Sequence, residues 1–503
     1  MHILQVPADV FHIILYYSIL ARDVPRALRL KLVCKAFDHA FQPALFESRA
    51  LDNFTIETER LMDWPIRRYH GRVGVHEFWH SYLVYRARKA SDPADGRFVE
   101  LRQIANQFCT ETGADWDRTL DTLCWLALEF ALDPYRHYTG FWKRHKNTNE
   151  SLNEQPELDL SLLGAAAYSN CLALAKRLLL KGHCPASDSC LFPSALQLAA
   201  WAGNRDMLGL LQEHLPEYEH MRSDKHYGHF WRGKAGPGSI TGGAMRGDLE
   251  ILRLALYPPS SARKDFWEDK ARNSARTMTI LYAQTTNIEV FDHICSLLAN
   301  PLEKIVSDLS VHAEYGNLNM VKALLDRGAE AQGTNTENPL LLAARAGHED
   351  VVDLLLERGA DPNFSTYVHR GRPLWGAVTG GSLSILRKLL DHGVDIHGVV
   401  GTKALWRAVD LEHTAMVQLL LANGVGKGYE LALPKVLGEA QKHGLDSMVD
   451  ILGEAIEKAN VPLRSPTPDC QNRDSSLLRS QPPPGSVYRE VTYLCRWNVY
   501  DIL

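Results

Sequence analysis

One segment, residues 338–363, constrains the fold of this 503-residue chain more than any other. It reads Asn-Pro-Leu-Leu-Leu-Ala-Ala-Arg-Ala-Gly-His from Asn338, then Val-Val-Asp-Leu-Leu-Leu-Glu-Arg-Gly-Ala-Asp-Pro-Asn from Val351. Apolar residues at helical spacing on both sides of a glycine predict two short antiparallel helices and a loop. Because fragments of this pattern recur along more than half of the sequence, we expect units that bury their core by stacking on their neighbours.

The recurring pattern aligns on the turn between the paired helices. Nine turn positions are comparable: Asn170, Gly203, Gly247, Thr286, Gly316, Gly347, Gly381, Glu412 and Gly444. Four residues later each unit has an apolar residue that is predicted to pack between helices: Leu174, Met207, Ile251, Val290, Met320, Val351, Ile385, Met416 and Met448.

Two further features of the units follow from helix geometry. Small residues before the turn, such as Ala343 and Ala344, indicate that neighbouring inner helices approach closely. Glycines after the outer helices are predicted to end them in the left-handed conformation. These are Gly182, Gly328, Gly359, Gly393 and Gly424.

The pattern resembles the ankyrin repeat family, whose period is about 33 residues. We therefore predict an all-α fold, an ankyrin-repeat solenoid preceded by an N-terminal helical region. The array is predicted to span 158–456 in about nine units, of which 303–426 are the most regular. Longer insertions separate the third and fourth units, and the loops His220 to Ser239 and Pro258 to Arg272 are candidates either for recognition or for covering the stack.

The resemblance to ankyrin proteins implies a protein partner bound at the hairpin tips and along the inner helices. The candidate residues are Trp201, Met245, Tyr315, Arg345, Tyr367, His369, Arg370, Trp375, Thr379 and Trp406. Trp375 and Trp406 stand where the family usually has a histidine. They are either packing residues between repeats or aromatic anchors for a partner.

The N-terminal segment 1–50 resembles an F-box-like module. It has a leucine-proline-type start, an amphipathic helix and a leucine-rich helix that ends Leu-Val-Cys-Lys-x-Phe. The resemblance implies docking on the Skp-type adaptor of a cullin-RING ubiquitin ligase, and the combination with repeats is similar to F-box/ankyrin proteins of filamentous fungi. The residues that would contact the adaptor are Leu4, Pro7, Val10, Ile14, Leu32, Val33 and Phe37. The alternative is a plain helical cap on the first repeat.

Residues 51–157 are interpreted as a helical bridging region, with helices at His76 to Lys89, Phe98 to Cys109 and Asp117 to Leu132. After the array, residues 457–503 are interpreted as a disordered tail with an aromatic C-terminal segment, because proline and serine are abundant between Val461 and Gly485.

One motif in the bridging region suggests catalysis. His76, Glu77 and His80 satisfy His-Glu-x-x-His, which on a helix places two imidazoles on one face to bind zinc beside a glutamate base. Glu100 is a conceivable third ligand. The alternative is an amphipathic helix whose Phe78, Trp79 and Tyr82 pack against neighbours.

The repeat array predicts a non-enzymatic binding protein without a cofactor, and the scattered cysteines favour an intracellular location, cytoplasmic or nuclear. The formal net charge of −5 gives no case for direct binding to nucleic acid or anionic membranes, and the nine cysteines lack disulfide or zinc-ribbon spacing. No run of about 20 apolar residues occurs in the sequence. The leading hypothesis is an adaptor that binds a protein partner. The alternatives are an ankyrin-type transcriptional coregulator that acts through a DNA-bound factor, and a zinc hydrolase.

Overall fold

The computed structural model describes residues 5–21, 27, 30, 34–53, 75–92, 95–132, 155–215, 237–256, 285–296, 309–333, 338–365, 372–426 and 432–458. Within these ranges the chain forms helices and turns and no β-strand, so the predicted all-α class is confirmed. Five helices precede the array: α1 (Ala8–Leu20), α2 (Lys35–Ser48), α3 (Val75–Lys89), α4 (Arg97–Thr112) and α5 (Trp116–Leu132).

The array consists of helix pairs, which we number as repeats 1 to 9 in chain order. The inner helices are Gln155–Tyr168, Ala195–Ala202, Pro237–Arg246, a stretch at 309–314, Pro339–Ala346, Pro373–Thr379, Gly398–Asp410 and Ala432–Lys442. The outer helices are Leu172–Leu180, Arg205–Glu213, Leu249–Leu256, Ile288–Ser296, Leu318–Asp326, Glu349–Glu357, Leu383–Asp391, Thr414–Ala422 and Asp446–Lys458. The residues expected to form the inner helix of repeat 4 lie outside the described ranges.

The predicted repeat alignment is confirmed at nearly every turn. All the aligned turn residues except Thr286 adopt a positive φ, including the non-glycine residues Asn170 (56°) and Glu412 (49°). The five glycines expected to end outer helices also have positive φ, between 75° and 93°. Thr286, which the alignment placed at the equivalent position, does not adopt a positive φ. A threonine pays a steric cost in that conformation, and here the turn is made without it.

Local sequence determines where the inner helices begin. In repeat 6 the Asn338 side chain accepts a hydrogen bond from the Leu341 N–H, and Pro339 occupies the first turn, where a missing N–H costs nothing. Ser194 caps the inner helix of repeat 2 in the same way. The apolar residues four places after each turn are all buried, as predicted.

Among the described helices, neighbouring repeats stack inner helix on inner helix and outer helix on outer helix. The predicted reason for small residues in the inner helices is confirmed. A Cβ added to Gly376 would lie 2.6 Å from the carbonyl oxygen of Leu341 in the preceding repeat, and Ala343, Ala344 and Ala377 are buried.

Polar residues just after the turns connect successive repeats. The Asn204 side-chain amide donates to the carbonyl oxygens of Ala167 and Tyr168, both at 2.9 Å. His348 Nε2 lies 3.0 Å from the carbonyl oxygen of Glu314 in the preceding repeat. In repeat 8, His413 Nδ1 accepts a hydrogen bond from the Met416 N–H at 3.3 Å and thereby caps the outer helix.

We expect the His413 contact to make the stability of the array depend on pH. Burial lowers the pKa of His413 below its usual 6.5, since the charged ring would lose solvation, although hydrogen bonds to backbone groups oppose this. The unfolded chain then binds the proton more readily. The contribution of His413 is therefore complete above pH 6.5 and decreases as the pH falls through the lowered value, by less than about 1.4 kcal/mol per pH unit.

Urea unfolding between pH 5 and 7.5 would measure this dependence. In His413→Asn the asparagine keeps a hydrogen-bond acceptor, as Asn287 does at the equivalent position of repeat 4, but its amide does not titrate. This variant should therefore lose part of the pH dependence of the stability. The exposed His397→Asn is the matched control, and equal pH profiles for the two variants would contradict the assignment.

The N-terminal helices share one hydrophobic core with the first two repeats. This core runs from Leu15 through Trp79 and Leu101 to Met207, and a second core runs from Ile240 to Ile456. In repeat 3, Ile251 belongs to the first core and the adjacent Leu252 to the second. The three helices predicted in the bridging region are confirmed as α3, α4 and α5, with bounds within three residues of the prediction.

The predicted second helix of the N-terminal module is placed differently in the structure. Cys34 is extended, with φ −167° and ψ 171°, so a helix cannot run through the Leu-Val-Cys-Lys-x-Phe segment. Instead α2 begins at Lys35, and it presents Phe37, Phe41 and Leu45 to the core. These residues recur every four positions, which places them on one helical face that packs against α1.

A buried ionic cluster joins α2, α3 and the loop before α4. The Arg86 guanidinium donates two hydrogen bonds to Asp52, at 2.9 and 2.7 Å, and one to Asp95, at 3.0 Å. Arg49 pairs with the same two carboxylates, and the Arg86 Cζ lies 4.7 Å from the centroid of the Phe98 ring. This cluster holds the first two helices on the bridging helices.

Among the described helices, none combines the length and the apolar character needed to cross a lipid bilayer.

Candidate partner-binding surfaces

In the eight repeats whose inner helix the structure describes, the residue two places before the turn forms a row along the layer of inner helices. We call this the groove row: Tyr168, Trp201, Met245, Glu314, Arg345, Thr379, Asp410 and Lys442. Trp201, Met245, Arg345 and Thr379 were predicted. Tyr315 was also predicted, and it is adjacent to the turn residue Gly316, so Glu314 is the member of the row in repeat 5. Counting back two places from each aligned turn residue would have identified the remaining members.

The groove row is aromatic and apolar in repeats 1 to 3. The rings of Tyr168 and Trp201, from adjacent repeats, meet edge to face with centroids 5.9 Å apart. Met245 follows in repeat 3, and its sulfur lies 3.8 Å from the side-chain amide of Gln197. All three are half-buried. Burial raises the pKa of Tyr168 above its usual value. This end of the row can offer aromatic and sulfur surface to a partner.

The charged members of the row in later repeats already form ion pairs within the chain. Arg345 and Glu314 pair at 2.7 Å, and their side chains are only 14% and 4% exposed. In repeat 8, Arg407 and Asp410 pair at 2.6 Å. A partner would have to displace an existing contact to use Arg345, so these residues contribute more to stacking than to recognition.

The other predicted partner-binding residues differ in their surroundings. Trp406 is partly buried against the second core, which supports the packing alternative for that residue. Trp375 is half-buried. Tyr367, His369 and Arg370 lie outside the described residues. So do Trp231, Phe266 and Trp267 of the insertions.

The N-terminal helix α1 has one buried face and one exposed apolar face. Leu15 and Ile19 are buried, and the Phe11 ring meets Phe37 at 5.0 Å. On the other side four large side chains are substantially exposed and follow one another at intervals of three or four residues. We call them the α1 stripe: Val10 (43%), Ile13 (52%), Tyr17 (65%) and Leu20 (48%).

The predicted adaptor contacts fall on both sides of α1 and beyond it. Val10 belongs to the stripe, Pro7 is exposed at the start of the helix and Ile14 is half-buried. Phe37 is buried against Phe11 and stabilises the packing of α1 on α2. Leu4, Leu32 and Val33 lie outside the described residues. Sequence reasoning missed Ile13, Tyr17 and Leu20, which the helical spacing from Val10 could have identified.

The packing alternative for the His-Glu-x-x-His segment is confirmed for its aromatic residues. Trp79 and Tyr82 are fully buried, and Phe78 packs against Phe46. His80 Nε2 lies 3.0 Å from the backbone oxygen of Asp121.

The possible ligands of that segment have different surroundings. Glu77 is exposed, and the buried Glu100 lies 3.6 Å from the sulfur of Cys190. No group of three or more potential metal ligands occurs among the described residues. The side chain of His76 lies outside the described residues.

The comparisons with known proteins identify the repeats. A family model described as ankyrin repeats matches residues 300–366. The inactive serine/threonine-protein kinase TEX14 of Mus musculus is 32% identical over 96 residues, 19% of this chain and 7% of that protein. An ankyrin repeat and KH domain-containing protein of Caenorhabditis briggsae is 33% identical over 121 residues, 23% of this chain and 5% of that protein.

A third relative extends this likeness. Ankyrin repeat and SAM domain-containing protein 6 of Mus musculus is 35% identical over 99 residues, 19% of this chain and 11% of that protein. The matches thus span about a tenth or less of these curated relatives. Together with the geometry of the turns, they establish that the chain carries an ankyrin-repeat solenoid.

Proposed function

We propose that this protein is a non-enzymatic adaptor whose ankyrin array binds a protein partner, and whose N-terminal helices dock on the Skp-type adaptor of a cullin-RING ubiquitin ligase. The observation that carries the ligase half of the proposal is the α1 stripe, an apolar helix face in contact with solvent. The bound partner would then be the substrate of the ligase.

The case for a protein partner rests on the shape of the array. A stack of helix pairs presents an extended surface, which suits a peptide or a folded domain better than a small molecule that needs an enclosed pocket. The aromatic end of the groove row supplies the residue types that are enriched at binding hot spots.

The case for docking through α1 rests on the arrangement of its side chains. Four large apolar groups on one helix face form a contiguous patch, whereas single exposed leucines are common on protein surfaces. An amphipathic helix that lays such a face into a groove is a recurrent mode of protein recognition. The resemblance of the segment to an F-box points to the Skp-type adaptor as the receiving protein.

An intracellular location is part of this proposal. A cullin-RING ligase acts inside the cell, where thiols stay reduced. The cysteines of the described ranges form no disulfide, and these are Cys34, Cys109, Cys124, Cys171, Cys184, Cys190 and Cys295.

Substitutions in the α1 stripe should separate docking from folding. We expect Ile13→Glu combined with Tyr17→Glu to abolish co-purification of a Skp-type adaptor with the tagged full-length protein, because two carboxylates would be buried in an apolar contact. The melting temperature should change little, since both side chains are mostly exposed.

Leu180→Glu is the matched control, because Leu180 is a 75% exposed leucine at the end of an outer helix, away from the stripe. It should leave co-purification unchanged. Absence of any Skp or cullin component from the unmodified protein's complexes would refute the ligase half. Absence of every protein partner would refute the adaptor role as well.

A further inference from the structure

The inner helices of repeats 7, 8 and 9 pack side by side in the same register. Their turn residues Gly381, Glu412 and Gly444 have a positive φ between 49° and 72°, which fixes how positions correspond from one repeat to the next. Each helix contacts the following one, and packed helices lie about 8–10 Å apart, so side chains at corresponding positions are neighbours. The solvent side of these helices therefore carries rows of side chains that cross the repeats.

A row of basic residues lies nine places before these three turns. We call it the basic row: Arg372, Lys403 and Lys435. Arg372 pairs with Asp395 at 3.4 Å. The side chains of Lys403 and Lys435 are exposed, and in the described part of the chain neither forms an ion pair or a hydrogen bond. Two unpaired lysines thus lie on one surface of a chain whose formal net charge is −5.

The carboxylates of the same helices do not neutralise these lysines. Asp410 and Glu439 are the acidic residues of the three inner helices. Asp410 pairs with Arg407 at 2.6 Å, and Glu439 lies 3.7 Å from Lys442. The surface around the basic row therefore keeps an excess of positive charge.

Tryptophans lie beside the basic row. Six places before the turn are Trp375 in repeat 7 and Trp406 in repeat 8, each three residues after a basic residue and so on the same helix face. Trp406 packs partly on the second core, which holds its ring in place, and Trp375 is half-buried. The corresponding residue of repeat 9 is Gly438, which is exposed and has nothing within 4 Å of an added Cβ. A notch therefore remains in the row beside Trp406.

We propose that this surface of repeats 7 to 9 is the docking site for an acidic segment of the partner protein. An aromatic or long aliphatic side chain of the segment occupies the notch at Gly438, and its carboxylates bind Lys403 and Lys435. This inference rests on the proposed binding role of the array and specifies the chemistry of its partner. Carboxylates form charge-assisted hydrogen bonds with the two ammonium groups, and basic segments are repelled. Trp375 and Trp406 add apolar surface of the kind that is enriched at binding hot spots.

A random peptide library displayed on phage and selected on the full-length protein tests the proposal. We expect the selected peptides to be rich in aspartate or glutamate and to contain an aromatic or long aliphatic residue. A fluorescein-labelled copy of the most enriched peptide is then the probe in anisotropy titrations. Lys403→Gln combined with Lys435→Gln should weaken its binding roughly 10-fold at low salt, and less at high salt. Lys176→Gln combined with Lys322→Gln is the matched control, because it removes two exposed lysines from outer helices, and it should leave the affinity unchanged.

Filling the notch should separate recognition from folding. In Gly438→Gln the new side chain takes the space of the partner's side chain, so we expect the probe to bind roughly 10-fold more weakly. The melting temperature should not fall, since glutamine is a better helix former than glycine. Gly453→Gln is the matched control, because Gly453 lies in the outer helix of repeat 9 and also has nothing within 4 Å of an added Cβ. It should leave the affinity unchanged.

Three kinds of result would overturn the proposal. The first is a selection that yields basic or uncharged peptides, or none. The second is a probe whose binding is insensitive to the lysine pair or to Gly438→Gln, and dependence on Trp201 instead would leave the adaptor role intact. The third is a labelled single-stranded DNA that binds the unmodified protein and loses affinity in the lysine variant, since the basic row would then serve nucleic acid.

Discussion

Replacing Arg86 with alanine should lower the free energy of unfolding of the N-terminal half by about 3–5 kcal/mol, because Asp52 and Asp95 lose their buried counter-ion and keep only the half-exposed Arg49. The Arg86 side chain is 5% exposed, and it pairs with both Asp52 and Asp95. Urea unfolding followed by tryptophan fluorescence would measure the change, because Trp79 lies in the same core.

Arg88→Ala is the matched control for this experiment. Arg88 lies two residues further along α3, is 50% exposed and pairs with the exposed Asp117 at 3.0 Å. A surface pair of this kind contributes about 1 kcal/mol at most. If Arg86→Ala cost no more than Arg88→Ala, the cluster would not be what holds the first two helices in place.

Acid should weaken the same cluster. Burial alone would raise the pKa of Asp95, but the hydrogen bond from Arg86 and the charge of Arg49 outweigh it and hold that pKa below its usual value. The stabilisation is therefore present above the pKa of the unfolded chain and is lost as the pH falls through the lowered folded value.

Two glycine-to-alanine substitutions should change the stability of the array in opposite directions. In Gly376→Ala the new Cβ would lie 2.6 Å from the Leu341 carbonyl oxygen and 3.3 Å from the Arg345 nitrogen. Both atoms belong to the backbone of the preceding repeat, so the stack must shift, at a cost of about 1–3 kcal/mol. Gly438 lies in the inner helix of repeat 9, and nothing is within 4 Å of its added Cβ.

In Gly438→Ala the helix gains a better helix former without a clash. The array should become more stable by about 0.4–1 kcal/mol. Thermal and urea unfolding of the two variants, compared with the unmodified chain, would measure both effects. Equal and favourable effects at both positions would mean that the inner helices of repeats 6 and 7 lie further apart than the structure places them.

The repeats were predictable because their signals are local. A glycine that must adopt a positive φ, such as Gly347 or Gly359, marks a turn by itself, and the helical spacing around it identifies the buried side. The pattern is less regular where that signal is weak. Position 286 is a threonine and adopts no positive φ, and Tyr315 lies one position nearer its turn than Trp201, Met245, Arg345 and Thr379 do.

The candidate surfaces were less predictable. Helix α1 is apolar on nearly every side, so its sequence does not indicate which side is covered. Packing on Phe37 and Phe41 of α2 buries Leu15 and Ile19 and leaves Ile13 and Tyr17 in solvent. The aromatic end of the groove row likewise depends on Tyr168 and Trp201, which come together from adjacent repeats.

By itself, the sequence determined that this chain builds a stack of helix pairs, because turn glycines and apolar spacing act within a dozen residues. Only the tertiary structure decided which groups reach a partner. It paired Arg345 with Glu314, placed Arg86 between two carboxylates, and brought Tyr168 against Trp201. Such contacts join distant segments, and their geometry depends on how whole helices pack, which no local pattern encodes.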